Sequence, residues 1–278
     1  MGLVHIHRGC HLLIIGYLLN LFRGGLLFGI LAAIGSEYGS WMYLFTVDIL
    51  QFAGMAFLTI GVMLKLKLSD HMILIISFLV QSIGIWGRNL EIHSEPLALI
   101  VGLLLPTHQQ AAFPLLLWLV YPVLGIIFAN ILQTVSDKKS FYKNVLLIGF
   151  TGLLTLTLTF FWNGLDVRNM YALSDNLYYD QTVFSTLWTL SVIFVALSVC
   201  YFLLSKFEHT KIGTLIRFGS RNVNTIYIVQ WVLITILVSF EPNLSIGYII
   251  QVGMIILLLA FGIAFFHEKR KLNHELKS

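Results

Sequence analysis

Long apolar runs separated by short polar connections dominate the chain. Runs near residues 11–30, 46–64, 72–87, 111–132, 144–162, 183–204, 223–240 and 246–266 each reach or approach the roughly 20 residues that cross a bilayer as a helix. Only helices and closed barrels satisfy every backbone polar group in lipid, and runs of this length fit helices. The pattern predicts an all-α, polytopic integral membrane bundle of about eight transmembrane helices. Leu97 to Leu105 is apolar but too short to cross. It reads as a re-entrant or surface segment ahead of Pro106.

Composition agrees with this class. The 278 residues are 58% hydrophobic and only 11% charged, against about 25% charged in soluble domains. The net charge of +4 does not point to nucleic acid, because the basic residues sit between the apolar runs. Cys10 and Cys200 both lie at spans and suggest neither a disulfide framework nor a metal site. Met1 to Arg8 lacks the order of a cleavable signal peptide, and the sixth position misses the myristoylation pattern.

Charge also predicts orientation. With eight spans both termini share one side, and every Lys and Arg except Arg23, Arg88 and Arg168 falls there. The positive-inside rule makes that side cytoplasmic, with residues 267–278 as a basic tail, and the plasma membrane is the expected location. A ninth span at 97–105 would destroy this asymmetry. The outward side holds Glu37, Glu91, Glu95, Asp166, Asp175, Asp180 and Glu241, with Asp48 deeper. Its longest loop, Asn163 to Gln181, is rich in Asn, Asp and Tyr. It can hydrogen-bond a polar or sugar substrate, or it is an ordinary solvated loop.

Polar residues inside apolar runs are the candidates for chemistry, since each is costly in lipid without a partner. Arg217 to Trp231 reads as a basic loop that becomes a helix running to Phe240. It carries Arg217, Arg221, Asn222 and Asn224, then Tyr227, Gln230 and Trp231. These are either a binding site or helix-to-helix glue with an aromatic anchor. In the first span Asn20 and Arg23 stand out. Arg23 either snorkels outward or pairs with Asp48, which opens the second span and shares a helix face with Gln51. Asp48 is then a structural partner or a catalytic acid. His108, beside Gln109 and Gln110, is either a general base at an outward cavity or a solvated interfacial residue. Gly25 and Gly29 fit a helix-packing motif. His5, His7 and His11 sit on a short cytoplasmic end and do not read as a metal site. Phosphate-loop, nucleophile-elbow and dinucleotide motifs are lacking in any credible context.

The order of several short motifs carries a resemblance. Arg8-Gly9-Cys10-His11-Leu12-Leu13 leads through Gly16-Tyr17-Leu18-Leu19-Asn20. Val47-Asp48-Ile49-Leu50-Gln51-Phe52-Ala53-Gly54 follows, then Phe113-Pro114 with Trp118 and Gly125, and last Gly219-Ser220-Arg221-Asn222 with Tyr227. The chain resembles the membrane acyltransferases related to heparan-α-glucosaminide N-acetyltransferase and the acyltransferase-3-like group. The resemblance implies transfer of an acyl group, typically acetyl from acetyl-CoA at the cytoplasmic side, to a sugar or other polar acceptor outside. The residues themselves lead one to expect no metal and no nucleic acid. Under the resemblance, Lys211, Arg217 and Arg221 hold the CoA phosphates, Asn222, Tyr227 and Gln230 line the path, and Asn20, Arg23, Asp48 and Gln51 order its outward end. The family also leads one to expect two further helices before this segment, bearing its catalytic histidine. Leu3 to Cys10 then corresponds to a short basic loop before the third helix. A transporter or flippase of a small or lipid-linked solute, and a non-catalytic membrane scaffold, are the alternatives.

Overall fold

The computed structural model describes residues 2–27, 44–87, 90–107, 111–164, 181–240 and 246–275. The described residues form helices α1 (Gly2–Asn20), α2 (Ile49–Lys65), α3 (Asp70–Gly87), α4 (Glu95–Val101), α5 (Leu115–Trp118), α6 (Val120–Thr134), α7 (Lys138–Trp162), α8 (Val183–Leu204), α9 (Lys211–Arg221), α10 (Val223–Phe240) and α11 (Ile246–Glu275). A π-helical turn, Leu21–Leu27, follows α1 directly. The protein is an all-α polytopic membrane bundle. Among the described residues, six helical segments are long and apolar enough to cross a membrane. The other two expected spans are α2, with 17 residues, and α10, with 18.

By chain contacts the protein divides into two compact units, Met1–Tyr17 with Phe45–Leu203 and Leu18–Leu44 with Leu204–Ser278. In the first unit, α1 and α2 run antiparallel along a glycine seam. Gly2, Gly9 and Gly16 recur every seven residues on α1, and Gly54 and Gly61 do so on α2. A Cβ added at Gly9 would lie 2.7 Å from the Gly54 carbonyl oxygen, and one at Gly2 would lie 2.6 Å from that of Gly61. Only glycine lets the two backbones approach so closely, and such contacts bring Cα–H groups against facing carbonyls. This seam corrects two expectations. Leu3 to Cys10 is not a loop, and the first helix begins at Gly2 rather than near residue 11. The polar His5, His7 and Arg8 mask a helix that its glycine face holds in place.

Asp48 caps α2 at its N-terminus, and a left-handed Lys67 (φ 56°) ends it. There the Lys67 and Leu68 amides donate to the Leu64 and Met63 carbonyls at 3.1 and 3.2 Å, a hydrophobically backed C-terminal cap. Ala56, Ile60 and Met63 of α2 pack with Ile73, Leu115, Leu119 and Val123 as the core of this unit. Pro122 separates α5 from α6, because it lacks the N–H that the Trp118 carbonyl would accept. The short α4 and its turn fold back onto the start of α5, whose Leu115 and Leu116 amides donate to the Leu103 and Leu104 carbonyls at 2.9 and 3.1 Å. The segment 97–105 is thus a helical turn that does not span, as its length predicts. Helices α7 and α8 meet where Gly149 and Gly152 face Ser191, and Trp188 Nε1 donates to the Thr157 hydroxyl at 3.0 Å.

In the second unit Ala260 and Ala264 of α11, four residues apart and fully buried, pack with Ile226 of α10 and with Phe218 and Phe261. One further expectation changes here. Arg217 to Arg221 is the last part of helix α9 rather than a loop, with Thr210 as its cap. Residues from 267 to Glu275 continue α11 as helix.

Candidate functional site

A chain of hydrogen bonds crosses the interior of the first unit. Gln81 of α3 donates through Nε2 to the Leu117 carbonyl at 3.1 Å and to the Thr186 hydroxyl at 2.6 Å. Thr186, in the first turn of α8, donates to Gln181 Oε1 at 3.4 Å, and the Tyr121 hydroxyl of α6 donates to the same oxygen at 2.7 Å. Gln81, Gln181 and Thr186 are at most 1% exposed. The stripe that brings Gln81 inward is Ser77, Gln81 and Gly84, spaced to share one helix face. Gly84 lets α5 approach, since a Cβ there would lie 2.9 Å from Leu116 Cβ.

Aromatic rings line the same region. Phe113 lies 4.9 Å from Trp118 edge to face, Trp118 lies 5.3 Å from Tyr121, and Phe52 of α2 lies 6.5 Å from Phe113. The Val47 carbonyl accepts from the Phe113 amide at 3.1 Å, which ties the start of α2 to this layer. Two buried amide atoms in the unit, Gln81 Oε1 and Gln51 Nε2, have no hydrogen-bond partner among the described residues. Each such group costs about 1–3 kcal/mol, which a bound polar molecule can recover.

The residues singled out in the sequence fall in several places. Asp48 and Gln51 form a capping box: Asp48 Oδ1 accepts from the Ile49 amide at 2.8 Å, and Gln51 Oε1 accepts from the Asp48 amide at 3.2 Å. Gln51 is buried, with its amide against Gly16. Asn20, also buried, donates to the Leu44 carbonyl at 3.2 Å in the second unit. Arg23 stands with its guanidinium carbon 4.1 Å from the Trp231 ring centre, and Tyr227 meets Trp231 edge to face at 6.3 Å. A cation over an aromatic face contributes about 0.5–2 kcal/mol, more as it is desolvated. The π-helical turn carries Arg23 on the way to that contact. Arg23 and Asp48 belong to different units, and each has this local role within its own. His108 lies outside the described residues, as do Gln109, Gln110, most of the Asn163–Gln181 loop and the second half of the Gly25–Gly29 motif.

At the far end of the second unit the basic residues gather on and beside α9. Lys211 is exposed in its first turn. Arg217 donates to the Glu208 carbonyl at 2.8 Å and to the Thr214 hydroxyl at 3.3 Å. Arg221 lies 3.6 Å from Glu268 of α11, and Asn222 donates to the other oxygen of Glu268 at 3.1 Å. Gln230 is half-buried on α10. The structure therefore brings together Arg217, Arg221 and Asn222 around α9, and Arg23 with Tyr227 around Trp231.

Sequence reasoning missed Gln81, Thr186, Tyr121 and Glu268. Gln81 is a lone amide in an apolar run, the same kind of signal that marked Gln51 and Gln230. Comparison of the chain with protein-family models, with curated proteins and with solved structures gives no match.

Proposed function

We propose that this protein is an integral-membrane acyltransferase that moves an acyl group, acetyl in the simplest case, from acyl-CoA to a sugar or other polar acceptor. The observation that carries the reading is the buried, uncharged network of Gln81, Thr186, Gln181 and Tyr121 within apolar helices. Polar groups in such surroundings are costly, and they are kept where they join helices or meet a ligand. An acceptor hydroxyl admitted to this interior can donate to Gln81 Oε1, which has no partner among the described residues. The donor half rests on α9. Lys211 and Arg217 offer charge-assisted hydrogen bonds to the CoA phosphates. Arg221 contributes less, because Glu268 already takes its charge. The order of motifs along the chain supports the same reading. So does the distribution of Lys and Arg, which puts α9 on the cytoplasmic side, where acyl-CoA is found.

Transport of a small polar solute is the second reading. It is favoured by the chemistry of the same network, which among the described residues joins amide and hydroxyl groups and holds no carboxylate or imidazole to move a proton. Reconstitution into sealed vesicles separates the two. Acyl transfer releases CoA thiol from external acetyl-CoA in proportion to protein, and Gln81→Leu with Thr186→Val lowers that release. Solute flux with acetyl-CoA left intact would replace the acyltransferase reading with the transporter.

A further inference from the structure

An apolar cavity of about 260 Å³ lies in the first unit between α1, α2 and α6. Its wall includes Phe52, Ala53, Ala56, Pro122 and Gly125, with His5 as its polar lining residue. Small residues keep it open. A Cβ added at Gly125 would meet nothing within 4 Å, whereas those at Gly9, Gly54 and Gly84 would each strike a neighbouring helix within 3 Å. The glycine seams at Gly9, Gly54 and Gly84 are therefore closed tightly, whereas Gly125 faces open space.

We propose that this cavity is a binding slot for the single alkyl chain of a fatty acid. Size sets the chain length. An engineered apolar cavity of about 150 Å³ holds benzene, so 260 Å³ scales to about ten carbons. From Phe52 to Ile60 the lining runs about 12 Å along α2, which a chain of that length spans. Polarity sets the direction. His5 packs on Phe57, with ring centres 5.7 Å apart, at the end of the slot where α1 begins. A carboxylate belongs beside that imidazole. The methyl end then points to Phe52, which adjoins the Phe113, Trp118 and Tyr121 layer. The slot does not depend on acyl transfer: it would hold a chain equally in a transporter.

Photolabelling tests it without any assay of activity. The full chain in phosphatidylcholine nanodiscs is irradiated with a ten-carbon fatty acid bearing a terminal diazirine, and the labelled residues are mapped by mass spectrometry. Labels should concentrate on α2 and α6 lining residues such as Ala53 and Ile126, at least fivefold above the exposed lipid-facing Leu147 and Ile148 of α7. Unlabelled decanoate should displace them, and decyltrimethylammonium should do so at least fivefold less well. Gly125→Phe, which fills the slot, should cut slot labelling at least fivefold and leave α7 labelling unchanged. Labelling spread evenly over slot and α7, or not displaced by decanoate, overturns the proposal. So does undiminished slot labelling in a folded Gly125→Phe protein. If that variant does not fold, displacement by decanoate decides alone.

Discussion

Gln81 and Thr186, 105 residues apart in the chain, share a 2.6 Å hydrogen bond with both side chains removed from solvent. The bond joins α3 to α8 and, through Gln181, to Tyr121 of α6. A double-mutant cycle measures it directly. Gln81→Leu and Thr186→Val should each lower stability by about 1–2 kcal/mol. Their coupling should be about 0.6 kcal/mol and not above about 1.7, the range for hydrogen bonds between membrane helices. Strictly additive effects in reversible unfolding would show that the bond does not hold the helices together.

Glycines of this protein should respond to substitution with opposite signs. Gly9→Ala drives a methyl to within 2.7 Å of the Gly54 carbonyl oxygen and 2.9 Å of Leu58 Cγ, so it should lose about 1–3 kcal/mol. Gly125→Ala enters open space within α6 and should gain about 1 kcal/mol from helix propensity. Thermal unfolding of the two variants side by side gives the comparison. A Gly9→Ala protein as stable as the wild type would refute the α1–α2 seam.

Asp48 is explained by the start of α2. Asp48→Ala should cost about 1 kcal/mol, the usual value of a lost N-cap, while Asp48→Asn and Asp48→Ser should keep most of the stability. Activity should follow stability across the three variants. A well-folded Asp48→Asn protein with no activity would instead make the carboxylate itself a chemical participant.

The helices were largely legible because lipid leaves the sequence little choice. A run such as 183–204 must be helical, and α8 covers those residues. Partnership between helices was not legible. The spacing of Gly2, Gly9 and Gly16 acquires meaning only beside Gly54 and Gly61, and nothing within one helix says which other helix it faces. His5, His7 and Arg8 made the start of α1 look like a loop for the same reason. Arg217 to Arg221 looked like a loop because an amphipathic helix with a basic face is less apolar than its neighbours. Gln181 sat at the edge of a loop read as solvated, yet it is buried and accepts two hydrogen bonds. Glu268 was hidden among Lys269, Arg270 and Lys271, and its role with Arg221 and Asn222 depends on α11 packing against α10. Asp48 and Gln51 were recognised as sharing a face, but their reciprocal capping needed the helix start to be placed.

Equilibrium binding of CoA to the purified protein tests the central claim most directly, with wild type, Lys211→Ala/Arg217→Ala and Arg221→Ala compared at one ionic strength. The account predicts that CoA binds and that acetyl-CoA competes with it. The double variant should bind at least tenfold more weakly, about 1.4 kcal/mol. Arg221→Ala should lose less, because Glu268 already holds that guanidinium. Absence of CoA binding, or equal affinity in the wild type and the double variant, would contradict the assignment of α9 to the acyl donor.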